Sequence, residues 1–237
     1  MYQNYIFDFY GTLADIRTDE EAPELWRKLS ELYREHGAVY KPMELKDEFR
    51  RLESEETMRC GGKYAEPDIV KVFAYLYINK GILCSPILAW QTAVFFRSLS
   101  RKFIRCYDGV AELLSELKGR GKGIYLLSNA QAPFTRPEIE MLCLTDYFDG
   151  IFLSSEHGQK KPSPAFFRKL LQKFQLKPAE CVMIGNDEET DIVGAQRSGL
   201  SSLYIHTEIS PERTGKIKAD YCVMDGDFRK IRTLILD

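Results

Sequence analysis

A doubly wound α/β fold, with a helical insert between its first strand and the rest of a parallel sheet, is predicted by three features of the sequence. From residue 103 onward, short runs rich in Ile, Leu and Val alternate with helical patterns. One further apolar run, residues 5–9, stands at the front of the chain. Between them, residues 17–102 are helical in composition and hold no convincing strand.

The strands are expected at residues 5–9, at GIYLLSN (123–129), GIFLSS (150–155), CVMIGN (181–186) and SSLYIH (201–206). Short, nearly continuous apolar runs are what a sheet covered on both faces requires. Helices are expected over 108–120, 137–145, 163–175, 189–198 and 227–236. Pro164 suits a first helical turn, and Gly199 suits a helix end. In the insert, helices are expected over 21–36, 42–57, 67–80 and 86–101. ELWRKLSELYREHG spaces Leu25, Leu29 and Leu32 along one face and stops at Gly37, and GGKYAEP (61–67) reads as a turn. The expected organisation is a core of residues 1–16 and 103–237 with an insert of 17–102.

Composition narrows the function classes. The 237 residues are 44% hydrophobic, enough for a substantial core. Basic and acidic residues number 33 and 35, a net charge of -2 that offers no nucleic-acid footprint. No apolar run approaches the ~20 residues of a membrane span. An apolar strand at the very start speaks against a signal peptide. The six cysteines are scattered without a CxxC pair, which points away from zinc and redox sites and toward the reducing cytoplasm. A small-molecule substrate is the expected partner, with no nucleic acid and no membrane; nothing in the sequence speaks to oligomeric state.

Ligands of an open parallel sheet bind beyond the carboxyl ends of its strands. Asp8 and Tyr10, Ser128 and Asn129, Ser154 and Ser155, and Asn186 and Asp187 all stand where a predicted strand ends. The insert leaves the sheet just after Tyr10, in position to close over the same crevice.

Four stretches in order, DFYGTLAD, LLSN, KKPSPAFF and IGNDEETDIVGAQRSG, resemble the motifs of the haloacid dehalogenase superfamily. The resemblance covers essentially the whole chain and is nearest the branch with a helical cap after the first strand. It implies a Rossmann-like core with an inserted four-helix cap. It also implies Asp8 as a nucleophile forming a covalent intermediate, and Lys161 as the cation that keeps Asp8 ionised. Thr12, Ser128 and Asn129 would bind the transferring group. Asp8, the Tyr10 carbonyl and Asp187 would hold Mg²⁺, with Asp191 in or near its first shell. Asn186 stands where many relatives carry an acid, which implies weaker metal binding. Glu188 and Glu189 are read as favourable charge in a helix's first turn, and Lys160 as a solvated neighbour.

Tyr10 divides the functional readings. Phosphatases of the family carry an aspartate two residues after the nucleophile as general acid and base. A phenol donates a proton but is a poor base at pH 7, its ordinary pKa being ~10. L-2-haloacid dehalogenases are similar to this chain at that point, since they carry a tyrosine there and a departing halide needs no proton. The acidic fourth motif favours an Mg²⁺-dependent phosphohydrolase acting on a small phosphorylated metabolite. The alternatives are a dehalogenase-type hydrolase and a catalytically weak phospholigand-binding protein. Arg17, Arg50, Arg51, Arg59, Lys63 and Tyr64 of the insert are candidates to select substrate.

Overall fold

The computed structural model describes residues 2–212 and 215–236. Residues 1, 213, 214 and 237 of the expected core lie outside the described residues. The chain begins with β1 (Asn4–Phe7), then β2 (Ala14–Thr18), and enters the insert with α1 (Pro23–Glu35), α2 (Pro42–Cys60), α3 (Ile69–Ile78) and α4 (Pro86–Ser100). It returns through β3 (Arg101–Cys106) to α5 (Val110–Gly119), β4 (Gly123–Ser128), α6 (Ala132–Met141), β5 (Gly150–Leu153) and α7 (Pro164–Lys173). β6 (Cys181–Gly185), α8 (Val193–Arg197), β7 (Ser201–Ile205), β8 (Tyr221–Val223) and α9 (Phe228–Ile235) complete it.

Among the described residues, six strands form one parallel sheet in the order β5-β4-β1-β6-β7-β8. β1 lies inside it, and Tyr5, Ile6 and Phe7 are fully buried. Their directions follow the two-residue period of a strand. Tyr5 and Phe7 pack with Leu113, Leu117 and Ile231 of α5 and α9, while Ile6 packs with Phe166, Phe167 and Ala195 of α7 and α8. Burying each such side chain contributes roughly 1.5–3 kcal/mol, so β1 is a major anchor of the sheet. Register sets the crevice: Phe7 lies level with Leu126 on one side and Ile184 on the other. Asp8, Ser128 and Asn186 therefore follow at the same edge.

The helices of the insert enclose a separate apolar cluster that includes Leu25, Leu29, Tyr33, Phe49, Phe73 and Phe96. Leu32 is only half-buried, since Tyr33 takes the inward place. Asp68 caps α3 by accepting the Val70 N–H, and Ser85 caps α4 by accepting the Leu88 N–H.

Three expectations of secondary structure need correction. β2 and β3 pair as an antiparallel ribbon, so strand reaches Thr18 and resumes at Arg101, inside the segment read as purely helical. Their partners, from Thr18 with Arg101 to Ala14 with Cys106, lie on either side of the whole insert, and no local pattern reveals such a pair. β8, only three residues long, was not expected either. The helix expected over 137–145 runs over Ala132–Met141 instead, because Pro133 opens it and Pro137 sits within it. A proline near the first turn removes an N–H that lacks a helical partner anyway.

Candidate active site

Asp8 follows the last residue of β1, and its N–H donates to the Ile184 carbonyl at 3.0 Å. Its side-chain Oδ1 accepts the Ser128 hydroxyl at 2.9 Å and the Lys161 ammonium at 2.6 Å. Lys161 is buried, lies 2.7 Å from Asp191 Oδ1, and donates to the Leu127 carbonyl at 2.8 Å. Burial opposes the lysine's charge, but Asp191 and Asp8 beside it prevail and hold its pKa above the ordinary lysine value. Burial, reinforced by Asp8, raises the Asp191 carboxyl to about 7 against the pull of Lys161.

Asn129 holds the lysine rather than facing it. Its Oδ1 accepts the Lys161 N–H at 2.7 Å, and its Nδ2 donates to the Lys161 carbonyl at 3.1 Å. The side chain thus substitutes for a strand partner and fixes the backbone from which Lys161 projects. The fully buried Thr12 donates from Oγ1 to Asn186 Oδ1 at 3.3 Å. Gly11 between Tyr10 and Thr12 has φ of +78°, and a Cβ there would come within 2.1 Å of Asn186 Nδ2. Only glycine satisfies both the left-handed turn and that approach. Thr207, which the sequence did not single out, donates to the Gly11 carbonyl at 2.6 Å and steadies the turn from β7.

The acidic motif separates into different parts. Asp187 Oδ1 accepts the N–H groups of Glu189 and Thr190 at 2.9 and 3.3 Å, capping a π-helical turn over Glu188–Ile192. Asp191 Oδ2 accepts the Asp187 N–H at 3.1 Å, and its Oδ1 faces Lys161. Asp191 thus ties the turn at Asp187 to the lysine. Among the described residues no group of three or more His, Cys, Asp or Glu side chains is placed to hold a metal ion. The expected ligands Asp8, the Tyr10 carbonyl and Asp187 offer oxygen atoms only. Such a sparse, hard set fits Mg²⁺, which takes one or two carboxylates and keeps several waters.

Tyr10, expected to stand in for the acid–base aspartate with impaired proton transfer, turns its hydroxyl toward α6. Its hydroxyl donates to Glu138 Oε2 and lies 2.9 Å from Thr135 Oγ1, both on α6. The Arg97 guanidinium sits 5.5 Å from its ring centroid. Burial first, then the Glu138 charge, push its pKa well above the ordinary phenol value. The phenol is neither a base at neutral pH nor a donor with a free proton.

The insert reaches the crevice rim through residues 64–69. The Lys160 N–H donates to the Tyr64 carbonyl at 3.0 Å, and the Glu66 N–H to the Gly158 carbonyl at 3.3 Å. Gln131 accepts the Ile69 N–H and donates to Glu66 Oε1 and the Pro67 carbonyl. Of the expected selectors, Tyr64 lies at this rim, whereas Arg50, Arg51 and Arg59 pair with Glu21, Glu48, Glu55 and Glu56 of the insert. Glu138, Arg97 and Gln131 escaped the sequence reading, since a lone Glu or Arg in an amphipathic helix has the pattern of a solvated face.

A family model described as haloacid dehalogenase-like hydrolase matches residues 2–199. The chain is 37% identical over 92 residues to a ribulose-1,5-bisphosphate 5-phosphatase of Halopiger xanaduensis, covering 39% of this chain and 38% of that protein. It is 30% identical over 118 residues to a phosphoserine phosphatase of Thermus thermophilus, covering 50% and 47%. The matched stretches thus span half or less of these two relatives. In fold it resembles a 2-haloacid dehalogenase from Pseudomonas syringae, with a TM-score of 0.70, 17% identity and coverage of 100% and 99%. It likewise resembles a HAD phosphatase from Thermococcus onnurineus, with a TM-score of 0.60, 20% identity and coverage of 98% and 97%.

Proposed function

The chain belongs to the haloacid dehalogenase-like hydrolases, and on that footing we propose that it is an Mg²⁺-dependent phosphohydrolase of small phosphorylated metabolites, working through an aspartyl-phosphate at Asp8. The observation that carries this reading is the Asp8–Lys161–Asp191 arrangement, in which one ammonium lies 2.6 Å from one carboxylate and 2.7 Å from the other. Lys161 holds and orients the Asp8 side chain, and two carboxylates to one ammonium leave the site short of positive charge. Mg²⁺, held by Asp8, the Tyr10 carbonyl and Asp187, would supply that charge to the phosphoryl oxygens.

An Asp8 carboxylate oxygen attacks phosphorus, and the bond from phosphorus to the leaving oxygen breaks. Water then cleaves the aspartyl-phosphate, releasing inorganic phosphate and restoring Asp8. With the Tyr10 proton committed to Glu138, no side chain at that position protonates the leaving oxygen. General acid catalysis is typically worth ~10²–10⁴ in rate, so aryl and acyl phosphates are expected to react far faster than alkyl phosphates.

The same commitment of Tyr10 favours a second reading, cleavage of a 2-haloacid, whose halide leaves without a proton. A panel of phosphate esters and 2-haloacids, with Mg²⁺ and with chelator, separates the two. Phosphate release that vanishes in chelator, returns with Mg²⁺ and is abolished by Asp8→Asn supports the first. Halide release undiminished in chelator would replace it with the second.

A further inference from the structure

Glu138 is fully buried, yet neither the nucleophile, the lysine nor the acidic motif touches it. Its Oε1 accepts Arg97 Nε at 2.8 Å and Arg101 Nη1 at 3.0 Å, and its Oε2 accepts the Tyr10 hydroxyl. Arg97 also lies over the rings of Tyr10 and Phe134, at 5.5 and 5.4 Å. Three segments therefore meet at one carboxylate: the turn after β1, α6 itself, and the end of α4 as it runs into β3. A carboxylate this deeply buried is costly unless paired, and both of its guanidinium partners come from the α4 end. The position of α4 is thus a condition for Glu138 to hold Tyr10.

The turn is too tight to absorb a movement of Tyr10. The Gly11 N–H donates to the Ala14 carbonyl at 2.8 Å, and the Leu13 and Ala14 N–H groups donate to the Phe9 carbonyl at 2.8 and 2.9 Å. We propose that Glu138 is a positioning residue that ties the seat of α4 to the turn carrying Asp8, acting through the Tyr10 hydroxyl. This rests on Asp8 being the working carboxylate, as in the proposed function, but its decisive test needs no turnover.

The test is amide hydrogen exchange by mass spectrometry on the full chain as wild type, Tyr10→Phe, Glu138→Gln and the double variant. Glu138→Gln is expected to speed exchange at least about fivefold in both α4 and residues 9–14, leaving β6 unchanged. Tyr10→Phe keeps the ring under Arg97 and is expected to speed residues 9–14 alone. In the double variant, residues 9–14 should exchange no faster than in Tyr10→Phe. With p-nitrophenyl phosphate and Mg²⁺, both single variants should lower kcat by about tenfold with KM within about twofold. If Glu138→Gln does not fold, Arg97→Gln, which severs the α4 side, takes its place in the same comparison. Unchanged exchange at residues 9–14 in Glu138→Gln, or effects of the two substitutions that add there, would overturn the proposal. A wild type without phosphatase turnover refutes the phosphohydrolase reading alone, and exchange still decides this one.

Discussion

Lys161 concentrates the electrostatics of the crevice in a single side chain. It is 2% exposed, touches two carboxylates and a carbonyl, and has its own backbone held by Asn129. Lys161→Met keeps the length of the side chain and removes the charge, leaving Asp8 and Asp191 to repel each other in a dry site. Removing one partner of a buried pair typically costs about 3–5 kcal/mol, so the variant is expected to unfold at clearly lower urea concentration. Turnover should fall by at least about 10². A variant as stable as wild type would mean that Asp191 and Asp8 do not depend on that ammonium. Asp8 and Ser128 were legible because each stands at the end of a strand, and Lys161 because it lies in the motif just before α7; the structure brings the three together. The engagements of Tyr10 and Asp187 were not. Whether a phenol faces a crevice or a buried glutamate 128 residues away is decided by packing, and sequence spacing carries no trace of it.

At the scale of elements, the segment leading to Lys161 holds a histidine whose protonation is expected to cost stability. The His157 ring stacks on Phe152 with centroids 3.7 Å apart. It immediately precedes Gly158, whose carbonyl receives the Glu66 N–H from the insert. Burial holds its pKa below the ordinary histidine value. In the unfolded chain the imidazole takes up a proton near pH ~6.5, whereas in the folded chain it does so only at lower pH. Its contribution to stability is therefore complete above the unfolded value and is lost as pH falls. Between pH 7.5 and 5.5, His157→Gln should lose less stability than wild type in urea titrations. Equal slopes would show that the stacked ring is not the source. Five of the six strands of the sheet were legible to within a residue or two, because burial on both faces writes them as apolar runs, whereas β8 at the edge is too short to leave one. β2 and β3 were not, since a half-exposed ribbon of charged and apolar residues has its ladder partners across the whole insert.

Across the whole molecule, the apolar cluster on the α5 and α9 side of the sheet and the cluster of the insert meet at a seam and are joined by the β2–β3 ribbon. Trp90 of α4 packs against the core on the α5 and α9 side of the sheet, and Phe134 of α6 packs against the core of the insert. Each side thus lends an aromatic ring to the other, on the face where Glu138 gathers its arginines. The opposite face is joined by backbone hydrogen bonds, by Gln131 and by Arg197, which donates to the Tyr64 hydroxyl at 3.3 Å. The division into sheet and insert was visible in the sequence as a change of period, from short apolar runs to helical spacing. The seam was not, because its residues satisfy the helical pattern equally well when they face solvent. Among the described residues no helix is long and apolar enough to cross a membrane.

Thr18 and Arg101 stand side by side as register partners where the β2–β3 ribbon meets the insert. The chain therefore leaves for its excursion and comes home through the same doorway. No strand of the parallel sheet lies between those two residues. The excursion is interchangeable in principle: a short polar turn in place of residues 19–100 closes the ribbon as an ordinary hairpin. The shortened chain should retain the circular dichroism of a parallel α/β sheet and a cooperative melt, with Tyr10 and Glu138 opened to water. Loss of cooperative folding would mean that the sheet relies on its insert as a permanent buttress. Retained folding would mean that lineages of this fold are free to trade one insert for another, changing what enters the crevice while the strand ends that hold Asp8 and Lys161 stay in place.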